Sequence, residues 1–381
     1  MSTLDALIKQ VNKDHKQELI VVGASPKSHL SLVPFSSPRA NYMLYGGLPL
    51  GRIVEFAGEE GGGKTTTALD IVANAQKVFQ SELTEEVAKI EKLPPSSMTP
   101  RLVERLKFLK QRGPRRVFYA DCENTLDDEW AELLGVDIAG TFGMVKMKPQ
   151  SETAEEIFQM VLDFIDTGDI GLVVIDSLGV MLSAAAYEKD MEGKTMGGIA
   201  AALTLFSKKA EMACARQNCL LIGINQMRED MNSPYGGLIT TGGKAWKHNC
   251  SIRLLFQKGP YIDEKSVQLT RSAESPSGNL VQISIAKTKV CKPNRRTGFY
   301  TLRYETGIDV VADTVETGVK FDLIMQAGSW FTLVTPEGEV RVDEAGNLMK
   351  FQGKASLADF LADNVKILED LISQINVKIG E

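Results

Sequence analysis

Short apolar, β-branched runs alternate with segments of helical periodicity through the middle of the chain. Residues 52–57, 117–120, 172–175 and 219–224 read as strands, and residues 66–79, 152–165 and 199–215 as helices. Strands apolar at nearly every position are buried on both faces, so the alternation predicts a parallel sheet covered by helices on both sides. Beyond Cys250, shorter strands are expected at 251–256, 281–286 and 300–304, extending the sheet with antiparallel members.

The flanks read differently. Leu4, Ile8 and Val11 fall at helical spacing, and residues 19–22 form a short strand pattern. A helix and strand of that size bury little alone, so they pack on the main domain or on a neighbouring subunit. Pro34, Pro38, Gly46, Gly47 and Pro49 punctuate the approach to the first core strand. Residues 80–114 are charged, helix-prone and broken at Pro94-Pro95 and Thr99-Pro100, the character of an insertion. Residues 315–381 read as a small α/β unit. Its final helix carries Leu357, Phe360, Leu361, Val365, Leu368, Leu371, Ile372 and Ile375 on one stripe, with Ser356 and Asp359 at capping-box spacing. The expected divisions are 1–33, a helix-strand oligomerisation segment; 34–314, the α/β core; and 315–381, the C-terminal unit.

Composition changes little in this picture. With 381 residues, 43% hydrophobic and 24% charged, the chain has the profile of a globular protein of two or three domains. The five cysteines form no C-x-x-C pair, which argues against a zinc site or disulfide framework and fits a reducing compartment. The first residues mix acids and bases, unlike a signal peptide. The apolar run 170–187 contains Asp176 and suits a buried strand better than a membrane span. The net charge of −6 and the pI near 5.4 speak, as averages, against a basic coat for nucleic acid.

Candidate chemistry gathers at the strand ends. Gly58-Glu59-Glu60-Gly61-Gly62-Gly63-Lys64-Thr65 matches G-x-x-x-x-G-K-[ST] between a strand and a helix, the context a phosphate loop requires. Glycines let backbone N–H groups wrap phosphates, with Thr66 continuing into the helix. Lys64 would reach the β- and γ-phosphates of ATP, and the Thr65 hydroxyl would sit on Mg²⁺. Asp176, ending an apolar strand, can hold the same Mg²⁺ through water. Asp121 and Glu123 end another strand, where a carboxylate can orient and deprotonate an attacking water; spacing does not separate the two. Asn225-Gln226-Met227-Arg228 ends the fourth strand and can contact the γ-phosphate. The glycine-rich segment after it, 229–243, is of the kind usually functional or mobile.

Together these residues carry a resemblance. Gly47-Leu48-Pro49-Leu50-Gly51-Arg52-Ile53-Val54-Glu55 with the phosphate loop, Asp121-Cys122-Glu123 with Leu126-Asp127, Asp176-Ser177, Asn225 to Arg228 with Thr240-Thr241-Gly242-Gly243, Ala286 to Val290, and Gln326 to Phe331 resemble the RecA recombinase family, in order over nearly the whole chain. The resemblance implies a P-loop ATPase core, with Glu123 activating the water and Gln226 sensing the γ-phosphate. It implies Asp127 and Trp130 beside the adenine, though a core tryptophan is the competing reading, and Lys287 and Lys289 reaching the ATP of a neighbouring subunit. It implies two DNA-facing segments, 187–198 and 228–243, carrying Met196, Gly197, Arg228, Tyr235, Gly242, Gly243 and Lys244. The insertion 80–114, the acidic pair Glu229-Asp230 and the lack of a long acidic tail depart from the pattern.

The expected function is a DNA-dependent ATPase that forms helical filaments on single-stranded DNA and exchanges strands with duplex DNA. Single-strand-binding and loader proteins are possible partners. Its place would be the bacterial cytoplasm, or the host cytoplasm for a phage-encoded member. A ring-forming helicase and a nucleotide-gated assembly protein are the alternatives on the same core. Lys244, Lys247, Arg253, Lys258, Lys287, Lys289, Lys292, Arg295, Arg296 and Arg303 supply local basic clusters, and DNA binding through such charges falls steeply with salt. The acidity is local too: residues 315–381 hold six bases against eleven acids, a net of −5, while the other 314 residues hold 37 against 38.

Overall fold

The computed structural model describes residues 3–14, 20, 31–188, 198–229, 238–270, 272–343 and 345–380. The chain divides into two units, residues 1–31 and 32–381. In the first, α1 (Thr3–Asp14) buries none of its residues, and Leu4 and Leu7 are 63% and 55% exposed. Asn12 closes a loop with Ile20 by a pair of hydrogen bonds of 2.8 Å. Leu19, Val21 and Val22 of the expected strand lie outside the described residues.

The second unit opens with β1 (Leu32–Val33), α2 (Pro38–Met43) and β2 (Leu48–Pro49), β1 and β2 pairing antiparallel. Then come β3 (Ile53–Gly58), α3 (Lys64–Glu91), α4 (Pro100–Arg112), β4 (Arg116–Asp121), α5 (Asp128–Leu133), β5 (Val145–Met147), α6 (Ala154–Asp166) and β6 (Ile170–Asp176). Next are α7 (Ala184–Tyr187), α8 (Ala200–Gln217), β7 (Leu220–Glu229), β8 (Leu238–Thr240), α9 (Gly243–Asn249), β9 (Ile252–Ile262) and β10 (Gln268–Leu269). The last are β11 (Gly278–Thr288), β12 (Thr297–Arg303), β13 (Gly307–Ile308), α10 (Val310–Lys320), β14 (Ile324–Ala327), β15 (Trp330–Leu333), β16 (Lys350–Gln352), α11 (Lys354–Asp363) and α12 (Val365–Gly380).

The main sheet runs β13-β12-β11-β9-β3-β7-β6-β4-β5. From β9 to β5 its neighbours are parallel; β11, β12 and β13 add antiparallel, as the hydropathy pattern predicts. Every residue of β3 and β6 is buried. Their alternate side chains feed two cores: Val54, Phe56, Leu172 and Val174 pack with α3 on one face, and Ile53, Val173 and Ile175 pack with α6 and α8 on the other. The Thr153 capping box fixes the start of α6.

Four expectations need correction. The helix read as 66–79 continues to Glu91, and with α4 it forms an antiparallel helical hairpin pinned by Glu82–Arg115, Glu86–Arg105 and Glu91–Lys110 ion pairs of 2.7, 2.9 and 2.6 Å. β9 and β11 each run eleven residues, longer than their apolar stretches, because pairing with each other continues past the core. The single final helix is two, α11 and α12, broken at Asn364, and α11 starts from Gly353 rather than from a Ser356 box. The boundary expected at 314/315 falls inside α10, whose buried Asp313 accepts hydrogen bonds from Ser37 Oγ at 2.6 Å and Thr301 Oγ1 at 2.9 Å. The three-stranded antiparallel sheet β14-β15-β16 and helices α10 to α12 enclose a third core of Val315, Ile324, Leu333, Leu357, Leu371 and Ile375.

Candidate functional site

The parallel strands end together and bring the predicted residues to one edge. Gly58 pairs in register with Gln226, and Asp121 with Asp176. The loop between β3 and α3 turns through Gly61 and Gly63, both at positive φ. A Cβ at Gly58 would lie 2.4 Å from the Phe256 carbonyl oxygen, and one at Gly63 2.8 Å from the Tyr300 hydroxyl. Side chains there would collide with β9 and β12, so packing against the sheet requires glycine at both positions. Lys64, the first residue of α3, donates to the carbonyls of Gly58 at 3.0 Å and Glu59 at 2.6 Å. Burial pushes its ammonium down in pKa, opposed by the carboxylates of Asp176, Glu123, Glu60 and Glu59.

Asp176 Oδ2 accepts from Thr65 Oγ1 at 2.9 Å and from Tyr119 OH at 2.8 Å. Burial raises its carboxyl, against the lowering effect of those two hydroxyls. A carboxylate beside a threonine hydroxyl at a phosphate-loop helix is an all-oxygen donor pair, the chemistry Mg²⁺ selects. No group of three or more His, Cys, Asp or Glu residues able to hold a metal occurs among the described residues.

The two acids that spacing could not separate part company here. Asp121 is buried and accepts from the amides of Thr125 at 3.1 Å and Leu126 at 3.0 Å, building the turn into α5. Glu123 is half-buried; its Oε1 accepts from Gln226 Nε2 at 3.3 Å and from Ser177 Oγ at 2.5 Å. Cys122, between them, is pushed up to about 12 by burial and then by Asp176, so it stays a thiol.

A cavity of about 470 Å³ opens beside the phosphate loop, lined by residues 61–66, Trp130, Lys258, Asn279, Leu302 and Tyr304. Trp130 is half-buried on its wall rather than sunk in the core, while Asp127 serves as N-cap of α5, accepting from the Trp130 amide at 3.1 Å. Tyr304 and Asn279, joined at 2.9 Å, were not anticipated. They come from the end of β12 and from β11, far from the loop in sequence, and nothing in their spacing marks them.

Several basic residues expected to face DNA are engaged within the chain. Arg253 forms an ion pair with buried Glu55. Lys287 donates to the Lys247 and His248 carbonyls at 2.7 and 2.6 Å. Arg295 lies between the rings of Tyr42 and Tyr45, 4.4 and 3.8 Å from their centroids, and donates to the Ile379 carbonyl at 2.7 Å. Arg303 pairs with Asp309 at 3.1 Å. Lys244 and Lys289 are exposed. Gly242 and Gly243, both at positive φ, start α9. Met196, Gly197, Tyr235 and the side chain of Arg228 lie outside the described residues.

A model of the RecA N-terminal domain matches residues 2–84 and 102–309, leaving out 85–101 at the tip of the α3–α4 hairpin. Protein RecA of Bifidobacterium longum is 30% identical over 383 residues, spanning all of this chain and 81% of that protein. Protein RecA of Thermus thermophilus is 29% identical over 381 residues, covering 99% of this chain and 94% of the relative. Protein RecA of Acidothermus cellulolyticus is 29% identical over 380 residues, covering 99% and 92%. The chain belongs to the RecA family, whose members are DNA-dependent ATPases of recombination and DNA repair. DNA binding and oligomeric filaments go with that membership, and no helix among the described residues is long and apolar enough to cross a membrane.

Proposed function

We propose that ATP is hydrolysed at the edge formed by the ends of β3, β4, β6 and β7, with Glu123 as the general base. The observation that carries this is the Glu123–Gln226 hydrogen bond, which joins a carboxylate and an amide across from Lys64, Thr65 and Asp176. Glu123 takes a proton from a water aimed at the γ-phosphate, while Gln226 exchanges its bond to Glu123 for one to that phosphate. Residues 58–66 bind the phosphates through backbone N–H groups and Lys64 neutralises their charge. Thr65 and Asp176 would hold Mg²⁺, which supplies charge stabilisation on the phosphates. Trp130, with Asp127 ordering its helix, stacks on the adenine, and Tyr304 faces it across the cavity.

In the filament, exposed Lys289 reaches the ATP of the next subunit, and Lys287 joins it after releasing the two carbonyls of α9. The unburied apolar stripe of α1 supplies the contact of one subunit with the next. The segments 187–198 and 228–243, with Met196, Gly197, Arg228, Tyr235, Gly242, Gly243 and Lys244, face single-stranded DNA and then duplex. Loaders and single-strand-binding proteins act from outside, in the cytoplasm.

The test is ATP turnover with and without single-stranded DNA. Lys64→Ala abolishes nucleotide binding. Glu123→Gln binds ATP and DNA but turns over about 10²–10⁴-fold more slowly; an unchanged rate places the base elsewhere. Lys287→Ala and Lys289→Ala lower turnover only in assembled protein, and electron microscopy with an ATP analogue shows helical filaments rather than rings.

A further inference from the structure

One buried carboxylate has no part in the site above. Glu55, on β3 three residues before the phosphate loop, is 0% exposed, as are Trp246 and Asn225 around it. Its Oε1 accepts from Asn225 Nδ2 at 2.9 Å and from Trp246 Nε1 at 3.0 Å, and its Oε2 pairs with Arg253. Each partner leads outward. Asn225 precedes Gln226 and donates also to the Thr241 carbonyl at 2.8 Å. Arg253 reaches Thr240 Oγ1 at 3.3 Å. Trp246 belongs to α9, whose Lys247 and His248 carbonyls hold Lys287.

The cluster demands a carboxylate. All three groups facing Glu55 are donors, so a neutral amide in its place would turn its own N–H against one of them. Asn225 spends its Nδ2 on Glu55 and Thr241, and its Oδ1 meets no donor among the described residues, so Glu55 provides one of the two bonds that fix this side chain. Space is arranged for the same contact. Gly223 lies in register with Glu55, and a Cβ there would stand 2.6 Å from the Trp246 ring.

We propose that Glu55 is a positioning residue that makes the nucleotide-sensing strand and the base of the DNA-facing segment respond as one body. The inference rests on the function proposed above. A shift of Gln226 toward or away from nucleotide displaces Asn225, and through Glu55 it displaces Trp246, Arg253 and the Thr240-Thr241 return. Without the carboxylate these parts answer separately. Coupling of this kind is a free energy between two sites, and losing it leaves each site's own affinity in place.

The experiment compares the intact protein with Glu55→Gln and Trp246→Phe, measuring kcat and KM for ATP with and without saturating single-stranded DNA, and DNA affinity with and without a non-hydrolysable ATP analogue. In Glu55→Gln, DNA-free turnover and KM stay within about twofold, while DNA stimulation of kcat and nucleotide-dependent tightening on DNA each fall by about tenfold. Trp246→Phe, which keeps the ring and loses the donor, shows the same split to a smaller degree, and Glu55→Asp restores part of it. Equal losses with and without DNA, or full stimulation in both variants, would overturn the proposal. If Glu55→Gln does not fold, Trp246→Phe decides alone: unchanged stimulation rejects the coupling role. An unmodified protein whose turnover ignores DNA would instead overturn the functional reading beneath it.

Discussion

Asp70 and Asp313 are both fully enclosed, and burial pushes each up to about 6. Donors surround them: Ser36 N and Asn74 at Asp70; Ser37, Thr301 and Arg39 at Asp313. Desolvation outweighs those donors, so the folded chain binds these protons more tightly than the unfolded one, whose carboxylates titrate near 3.8. Their contribution is fully present below about pH 4 and is lost as pH rises through about 6, on the order of 2–3 kcal/mol for each group. Asp313→Asn therefore flattens stability against pH across that window, and refolding at pH 5 takes up about 0.8 fewer protons. Denaturation at a series of pH values, with proton uptake followed directly, checks it; an unchanged slope assigns the titration elsewhere. The same scale shows what spacing leaves open. Asp121 and Glu123 are equally placed in the sequence, and only the turn amides of Thr125 and Leu126 decide which carboxylate is committed to structure.

Elements were legible where both faces are buried. β3, β4, β6 and β7 show as apolar runs because helices cover them on either side, and the phosphate loop follows from its own glycines. Elements governed by partners were not. The distal part of α3 has mixed polarity because Ile90 is its one buried residue beyond Phe79, so the apolar period fades there. The cavity wall opposite Trp130 draws on β9, β11 and β12, joined only by pairing in the sheet. The hairpin's separateness has a measurable outcome. Ile90→Ala costs about 2 kcal/mol, raising the opening equilibrium of residues 80–112 about 30-fold in amide hydrogen exchange. Turnover stays within about twofold, since none of the site residues lies within 80–112; a proportional loss of ATPase would tie that segment to the site.

Across the whole molecule, net charge misleads about partners. The excess of acid sits in residues 315–381, where Lys354–Glu316 and Arg341–Asp370 form ion pairs. Much of the basic charge is spent internally, as at Arg253, Arg295 and Arg303. On the function proposed above, DNA affinity rests on exposed cations such as Lys244. Binding to a single-stranded oligonucleotide should fall linearly in logarithm with salt, and Lys244→Ala should reduce that slope by about 0.7 without altering sequence preference. A parallel, unshifted line would remove Lys244 from the interface. How far the chain resembles its relatives was legible here too: motif order spans it end to end, while residues 85–101 have no counterpart in the family model.

The three tryptophans fall one to a region: Trp130 on the wall of the cavity beside the phosphate loop, Trp246 sealed beside Glu55, and Trp330 on β15, 39% exposed with Lys350 over its ring. The molecule thus carries its own set of optical reporters. An indole in a closed, apolar setting emits at shorter wavelength than one touching water, so the three signals differ in colour as well as in place. Chains that keep Trp246 and carry phenylalanine at Trp130, at Trp330 or at both would let nucleotide arrival, the response of the buried node and events in the C-terminal unit be separated by difference in stopped-flow records, without an attached dye.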